Sequence, residues 1–143
     1  MTTRIALIPA LRYQNAPAAI EFLCAAFGFE RHAVYADEQN PSIIHHAQLT
    51  LGDSMIMLGS ARPDATAEKY HWRTPAEAGG VTMSIYAVIA DPDAHAAGAC
   101  AAGADIIGEP HDNQGYPGRG YEVRDTEGNI WSFGSYDPWQ GES

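Results

Sequence analysis

Pro17-Ala18-Ala19-Ile20-Glu21-Phe22-Leu23-Cys24-Ala25-Ala26-Phe27-Gly28-Phe29-Glu30 returns in altered form as the run from Pro92 to Asp105. Pro17 meets Pro92, Ala19 meets Ala94, Ala26 meets Ala101, Gly28 meets Gly103 and Glu30 meets Asp105. The same shift lays Leu58-Gly59-Ser60 over Phe133-Gly134-Ser135. A chain rich in alanine yields such matches by accident. The order of elements on either side gives this one its weight, and a unit used twice decides the fold before any single motif does.

In the first half, Ile5 to Leu11 reads as a strand. Asn15 can cap a helix with Pro17 in its first turn, where a missing N–H costs nothing. Gly28 offers the left-handed stop. Arg31 to Ala36 is a second strand, followed by a polar loop through Pro41. Ile43 to Leu51 and Ser54 to Leu58 form a hairpin around Gly52-Asp53. In the second half, Thr82 to Ile89 is a strand, and a helix capped by Asp91 ends near Gly103. Ile106 and Ile107 begin a short strand, and Pro110 to Pro117 is a loop. Gly120 to Arg124 and Asn129 to Gly134 form a hairpin turning at Asp125-Thr126-Glu127-Gly128. The expected architecture is one α+β domain over residues 1–143, built from two βαβββ modules at about 4–60 and 81–136. Residues 61–80 read as a linker and 137–143 as a tail.

The net charge of −10 argues against nucleic acid, whose phosphates need a basic face, and permits a cationic ligand. The apolar stretch from Val81 to Ala90 is far short of the ~20 residues that cross a bilayer. No export signal opens the sequence, so a cytoplasmic location is expected. Cys24 and Cys100 sit in helix-like segments without metal or redox spacing and read as reduced, small side chains.

Strand alternation sorts each hairpin into two faces. Ala47, Leu49, Leu51, Ile56 and Leu58 share the side that packs under a helix, as do Tyr121, Val123, Trp131 and Phe133. His46, Gln48, Thr50, Met55 and Met57 take the other side, as do Glu122, Arg124, Ile130, Ser132 and Gly134. That second mixture suits a half-wet pocket with a few polar anchors.

These patterns resemble the vicinal oxygen chelate superfamily: glyoxalase I, extradiol dioxygenases and bleomycin-resistance proteins. Leu11-Arg12-Tyr13, Ala25-Ala26-Phe27-Gly28-Phe29, the block from His46 to Ser54, and Met57-Leu58 carry the resemblance. So does Tyr121 to Phe133, with its Arg-Asp-x-x-Gly-Asn-x-Trp hairpin. The resemblance implies strongly curved mixed sheets, a homodimer and clefts inside the curve. In the family's metalloenzymes, inner-face strand residues hold a metal. The resemblance puts Ile8, Met57, Ser84 and Ser132 at those positions, and none is a carboxylate or an imidazole. No metal or cofactor is therefore expected.

The ligand-binding candidates are His46, Gln48, Met55, Met57, Trp72, Tyr116, Glu122, Arg124 and Ser132. His46 is a hydrogen-bonding anchor or a proton carrier. Glu122 is a counter-charge for a cation or an ion-pair partner of Arg12 or Arg124. These two are also the candidates for any catalytic role. Loop aromatics (Tyr70, Trp72, Tyr116, Tyr136, Trp139) offer flat contacts to planar or cationic molecules, and the loop from His111 to Pro117 could cover the cleft. The expected function is metal-independent binding and sequestration of a small molecule, such as an antibiotic or a planar or cationic metabolite. The alternative is a metal-dependent lyase, isomerase or dioxygenase of the same fold. Neither nucleic acid nor membrane is an expected partner.

Overall fold

The computed structural model describes residues 2–140. The first module orders β1 (Ala10–Tyr13), α1 (Ala16–Phe27), β2 (Glu30–Ala36), β3 (Ile44–Leu51) and β4 (Ser54–Ser60). After α2 (Ala65–Tyr70) and α3 (Pro75–Ala78), the second orders β5 (Ser84–Val88), α4 (Pro92–Ala101), β6 (Asp105–Asp112), β7 (Arg119–Arg124) and β8 (Ile130–Gly134). The sheets run β1-β4-β3-β2 and β5-β8-β7-β6, with β1 parallel to β4 and β5 parallel to β8. This is the expected α+β arrangement of two βαβββ units.

Local chemistry explains the helices. The Asn15 side chain accepts from Ala18 N at 3.2 Å, and Gly28 ends α1 at φ 87°. Asp91 caps α4 through Ala94 N at 3.1 Å. Ala16, Ala19, Ile20, Leu23, Ala26 and Phe27 form the buried stripe of α1.

Three expectations need correction. The first strand begins at Ala10, not Ile5, and Ile5 and Leu7 are almost fully exposed. The residues meant as linker carry two short helices. Asp64 caps α2, and Thr74 and Glu77 close a capping box on α3. Strand β6 is eight residues long and absorbs His111 and Asp112, which were expected in a loop, because their pairing continues onto Gly120 and Arg119. Residues 141–143 of the tail lie outside the described residues.

The modules join through their helical sides, with α1 packing on α4. Phe27 is the pivot. It is 1% exposed, and its ring lies 4.8 Å from Phe133 and 5.4 Å from Trp131, both on β8. A polar clasp runs beside it. The Tyr13 hydroxyl, on β1, donates to Asp125 Oδ2 at 2.6 Å in the β7–β8 turn. Glu127 accepts from the Gln14 and Asn15 backbone N–H groups.

His95 on α4 closes the same joint. Its Nε2 donates to Phe27 O at 2.9 Å, so Nδ1 accepts from the Tyr121 hydroxyl at 2.5 Å. Burial pulls the His95 pKa below the ordinary 6.5, only partly opposed by the Phe27 carbonyl, and pushes the Tyr121 hydroxyl up. The unfolded chain therefore binds this proton more readily than the folded one. The stability His95 contributes is complete above about pH 6.5 and falls as the pH drops toward its folded-state value. Urea melts at about pH 7.5 and pH 5.5 should show this loss, and His95→Gln should reduce the difference. Equal pH dependence in both proteins would refute the assignment.

Candidate functional site

The strand registers bring the inner-face side chains into rows. Across the first sheet one row reads Ala10, Met57, Gln48, Ala33. The matching row across the second reads Tyr86, Ser132, Glu122, Gly108. Ala10 stands level with Met57, and Ile8, expected on the first strand, precedes β1. Ser84 stands on β5, where it pairs with Ile130, and Tyr86 is the residue level with Ser132.

These rows do not fit a hard divalent ion. They hold two methyls, a thioether, one amide and one carboxylate on different sheets, two hydroxyls and a glycine. The Tyr86 hydroxyl is committed to Tyr136 O at 2.6 Å. Among the described residues no three His, Cys, Asp or Glu side chains converge.

The nine candidates separate into groups. His46, Met57 and Trp72 line one cavity of ≈ 270 Å³ together with Arg12. Gln48 joins them through a 3.1 Å hydrogen bond to His46 Nε2, and Tyr35 stacks on the His46 ring at 6.2 Å. Glu122 and Ser132 are cross-strand neighbours on the other sheet. Met55 lies opposite Thr50, toward the β3–β4 turn. Arg124 pairs with Asp105, and Tyr116 sits edge-on to Tyr136. His46 and Glu122 thus stand on separate sheets.

The partner expected for Glu122 is also corrected. Arg12 binds Asp64 and Arg124 binds Asp105, so the nearest cation-forming group to Glu122 is His111, with Nε2 3.7 Å from Oε1. Glu122 Oε2 is buried without a hydrogen bond and lies against Gly108, where a Cβ would collide with it.

Sequence reasoning named Trp72 but missed Arg12, the residue it stands beside. Arg12 and Trp72 line all three cavities around the α2–α3 segment, of ≈ 590, ≈ 530 and ≈ 270 Å³. The Arg12 guanidinium lies 5.1 Å from the Trp72 ring centroid. Its Nη2 donates to Arg62 O at 3.1 Å and Asp64 Oδ2 at 3.0 Å, and its Nε is buried without a partner. His71 ends α2 at φ 53°, the only non-glycine with positive φ among the described residues. That left-handed residue turns the chain from Tyr70 into Trp72 and Arg73. No pattern in the sequence marked it.

The glyoxalase/bleomycin resistance protein/dioxygenase superfamily profile matches residues 5–133. No curated protein matches the chain by sequence. Among solved structures, TioX from Micromonospora sp. ML1 shares 25% identity at TM-score 0.68, covering 91% of this chain and 94% of its own. The fosfomycin resistance protein FosX from Mesorhizobium loti shares 15% identity at TM-score 0.63, covering 98% of each chain. Glyoxalase I from Zea mays shares 14% at TM-score 0.65, with 89% of this chain matched to 43% of that one. With the profile spanning nearly its whole length and both sheets in place, the chain belongs to the glyoxalase/bleomycin resistance protein/dioxygenase superfamily.

Proposed function

We propose that the protein is a metal-independent binding protein that takes up and sequesters a small organic molecule. The carrying observation is the pair of inner-face rows, Ala10-Met57-Gln48 and Tyr86-Ser132-Glu122, which supply one carboxylate and no imidazole. Such a set orients a ligand by hydrogen bonds and apolar contact, not by coordination. His46 and Gln48 are the orienting pair beside Met57 and Trp72. Glu122, with one oxygen unpaired, is the polar anchor of the second sheet. A protein named for fosfomycin resistance shares the fold, so antibiotics belong among the ligands to screen.

We take the working form to be a homodimer. Ile5, Leu7 and Tyr35 are 96%, 98% and 59% exposed, apolar surface that a second copy would cover. Sedimentation of the purified chain as a monomer would reject this.

Thermal shift and metal analysis test the main reading together. Purified protein should carry no stoichiometric metal, and chelator should leave its melting point unchanged. A ligand at a hundred times its Kd adds about 2.7 kcal/mol and raises the melting point by several degrees. Stoichiometric Fe, Ni, Zn or Mn that disappears in His46→Ala would establish a metalloenzyme instead.

A further inference from the structure

We propose that the ≈ 530 Å³ cavity between β1 and β5 binds an organic anion, an apolar body carrying a carboxylate or comparable oxyanion. The proposal rests on the small-molecule-binding reading and narrows its ligand class.

Charge is the first argument. The chain holds 18 Asp and Glu against 8 Lys and Arg. None of those acids lines this cavity, whereas Arg12, Arg73 and His71 do. The local sign is the reverse of the molecule's. A cleft lined by one sign of charge between low-dielectric walls concentrates its field on whatever enters.

Donor geometry is the second. Asp64 and the Arg62 carbonyl hold Arg12 by Nη2 alone, and the Trp72 ring covers it. Its Nε and Nη1 donate to nothing among the described residues, and Nε is buried. A planar, fixed guanidinium with spare N–H groups matches the geometry of a carboxylate. Arg73 donates to the Trp72 carbonyl at 3.3 Å and forms no salt bridge among the described residues, although its charge reaches Glu77. Each arginine on a strand, Arg12 included, has a carboxylate partner, so Arg12 differs from Arg31, Arg119 and Arg124 only in its buried, unpartnered Nε.

The third argument is the rest of the wall. Leu11, Val81, Met83, Ile85 and Ile130 line the same space. Val81 is 41% exposed, and Met83 more so, leaving apolar surface for a ligand's body to cover. The cavity thus combines apolar side chains with two arginines and the neutral polar groups of Tyr70, Thr82, Ser84 and Asn129.

Three compounds with one ring system test this: naphthoate, naphthylmethanol and naphthylmethylammonium, titrated calorimetrically into the full chain. Naphthoate should bind roughly tenfold to a hundredfold tighter than the alcohol, and the ammonium weakest. Arg12→Gln and Arg73→Gln should each remove roughly tenfold of that preference. Arg31→Gln, at a surface ion pair elsewhere, should leave it intact. Should Arg12→Gln fail to fold, Arg73→Gln decides, because Arg73 is exposed. A preference for the ammonium, or a ranking unmoved by Arg73→Gln, overturns the anion assignment and leaves small-molecule binding standing. Failure of all three compounds to bind removes the assignment as well, and a flat thermal-shift screen beside it removes the broader reading.

Discussion

Asp125→Ala should lower folding stability by about 3–5 kcal/mol, more than any other single polar substitution in the molecule. Asp125 is 6% exposed and receives hydrogen bonds from both modules. Oδ2 accepts from the Tyr13 hydroxyl at 2.6 Å, Trp131 Nε1 at 3.1 Å and Asn129 Nδ2 at 3.1 Å. Oδ1 accepts from the backbone N–H groups of Glu127 and Asn129, which sets the β7–β8 turn. Tyr13 and Trp131 are 0% and 1% exposed, so water cannot replace the lost acceptor without opening the core. Each stranded buried donor costs about 1–3 kcal/mol, and turn and joint fail together. The melting point should fall by roughly 10–15 °C. Asp125→Asn, which keeps one acceptor oxygen, should lie between. Burial, then the nearby Asp125 charge, push the Tyr13 hydroxyl well above its ordinary pKa, so it remains a donor in alkaline buffer. A calorimetric melt of Asp125→Ala within about 1 kcal/mol of wild type would show that the clasp is incidental.

The Asp125 turn also shows why the fold was legible. Asp125-Thr126-Glu127-Gly128 is local turn chemistry, and Gly128 takes the φ of 91° that such a turn requires. The two-residue alternation of Tyr121, Val123, Trp131 and Phe133 is equally local, and all four are buried on the helix side. The same holds for Ala47, Leu49, Ile56 and Leu58. Binary patterns of this kind are enforced by burial, so they survive into the structure. The N-terminus misled because Ile5 and Leu7 have strand propensity but no sheet position to occupy, and propensity yields to context.

The site was less legible for a different reason. His46, Gln48 and Met57 fall on predictable strand faces, and the structure brings them together. Their neighbour Trp72 belongs to a segment whose course depends on two capped short helices and one left-handed histidine. Arg12 appeared in sequence as part of the Leu11-Arg12-Tyr13 motif and as a possible partner for Glu122, not as a site residue, and the structure puts it on a different sheet from Glu122. Charge counted over the whole chain pointed toward cations, yet the ≈ 530 Å³ cavity contains no acid. Net charge describes long-range attraction and solubility, whereas a pocket's selectivity is set by the few groups that line it.

Phe27→Ala should be about as damaging as loss of Asp125, at about 3–5 kcal/mol, and it asks whether the modules fold as one. Phe27 ends the first module's helix, yet its ring contacts are shared across the joint. Phe22 lies at 5.2 Å on its own helix, and Phe133, Trp131 and His95 come from the second module at 4.8, 5.4 and 6.3 Å. Small residues on α4, with Ala96 and Ala99 buried, let α1 approach closely, so few side chains could move in to refill the space. The expected cavity is therefore costly, because its lining cannot collapse. If a single core spans both sheets, far-ultraviolet dichroism and the near-ultraviolet signal of Trp131 should be lost in one transition, shifted together in the variant. Non-coincident transitions, with the second module melting unchanged, would mean that each sheet carries its own core and that the aromatic joint merely touches.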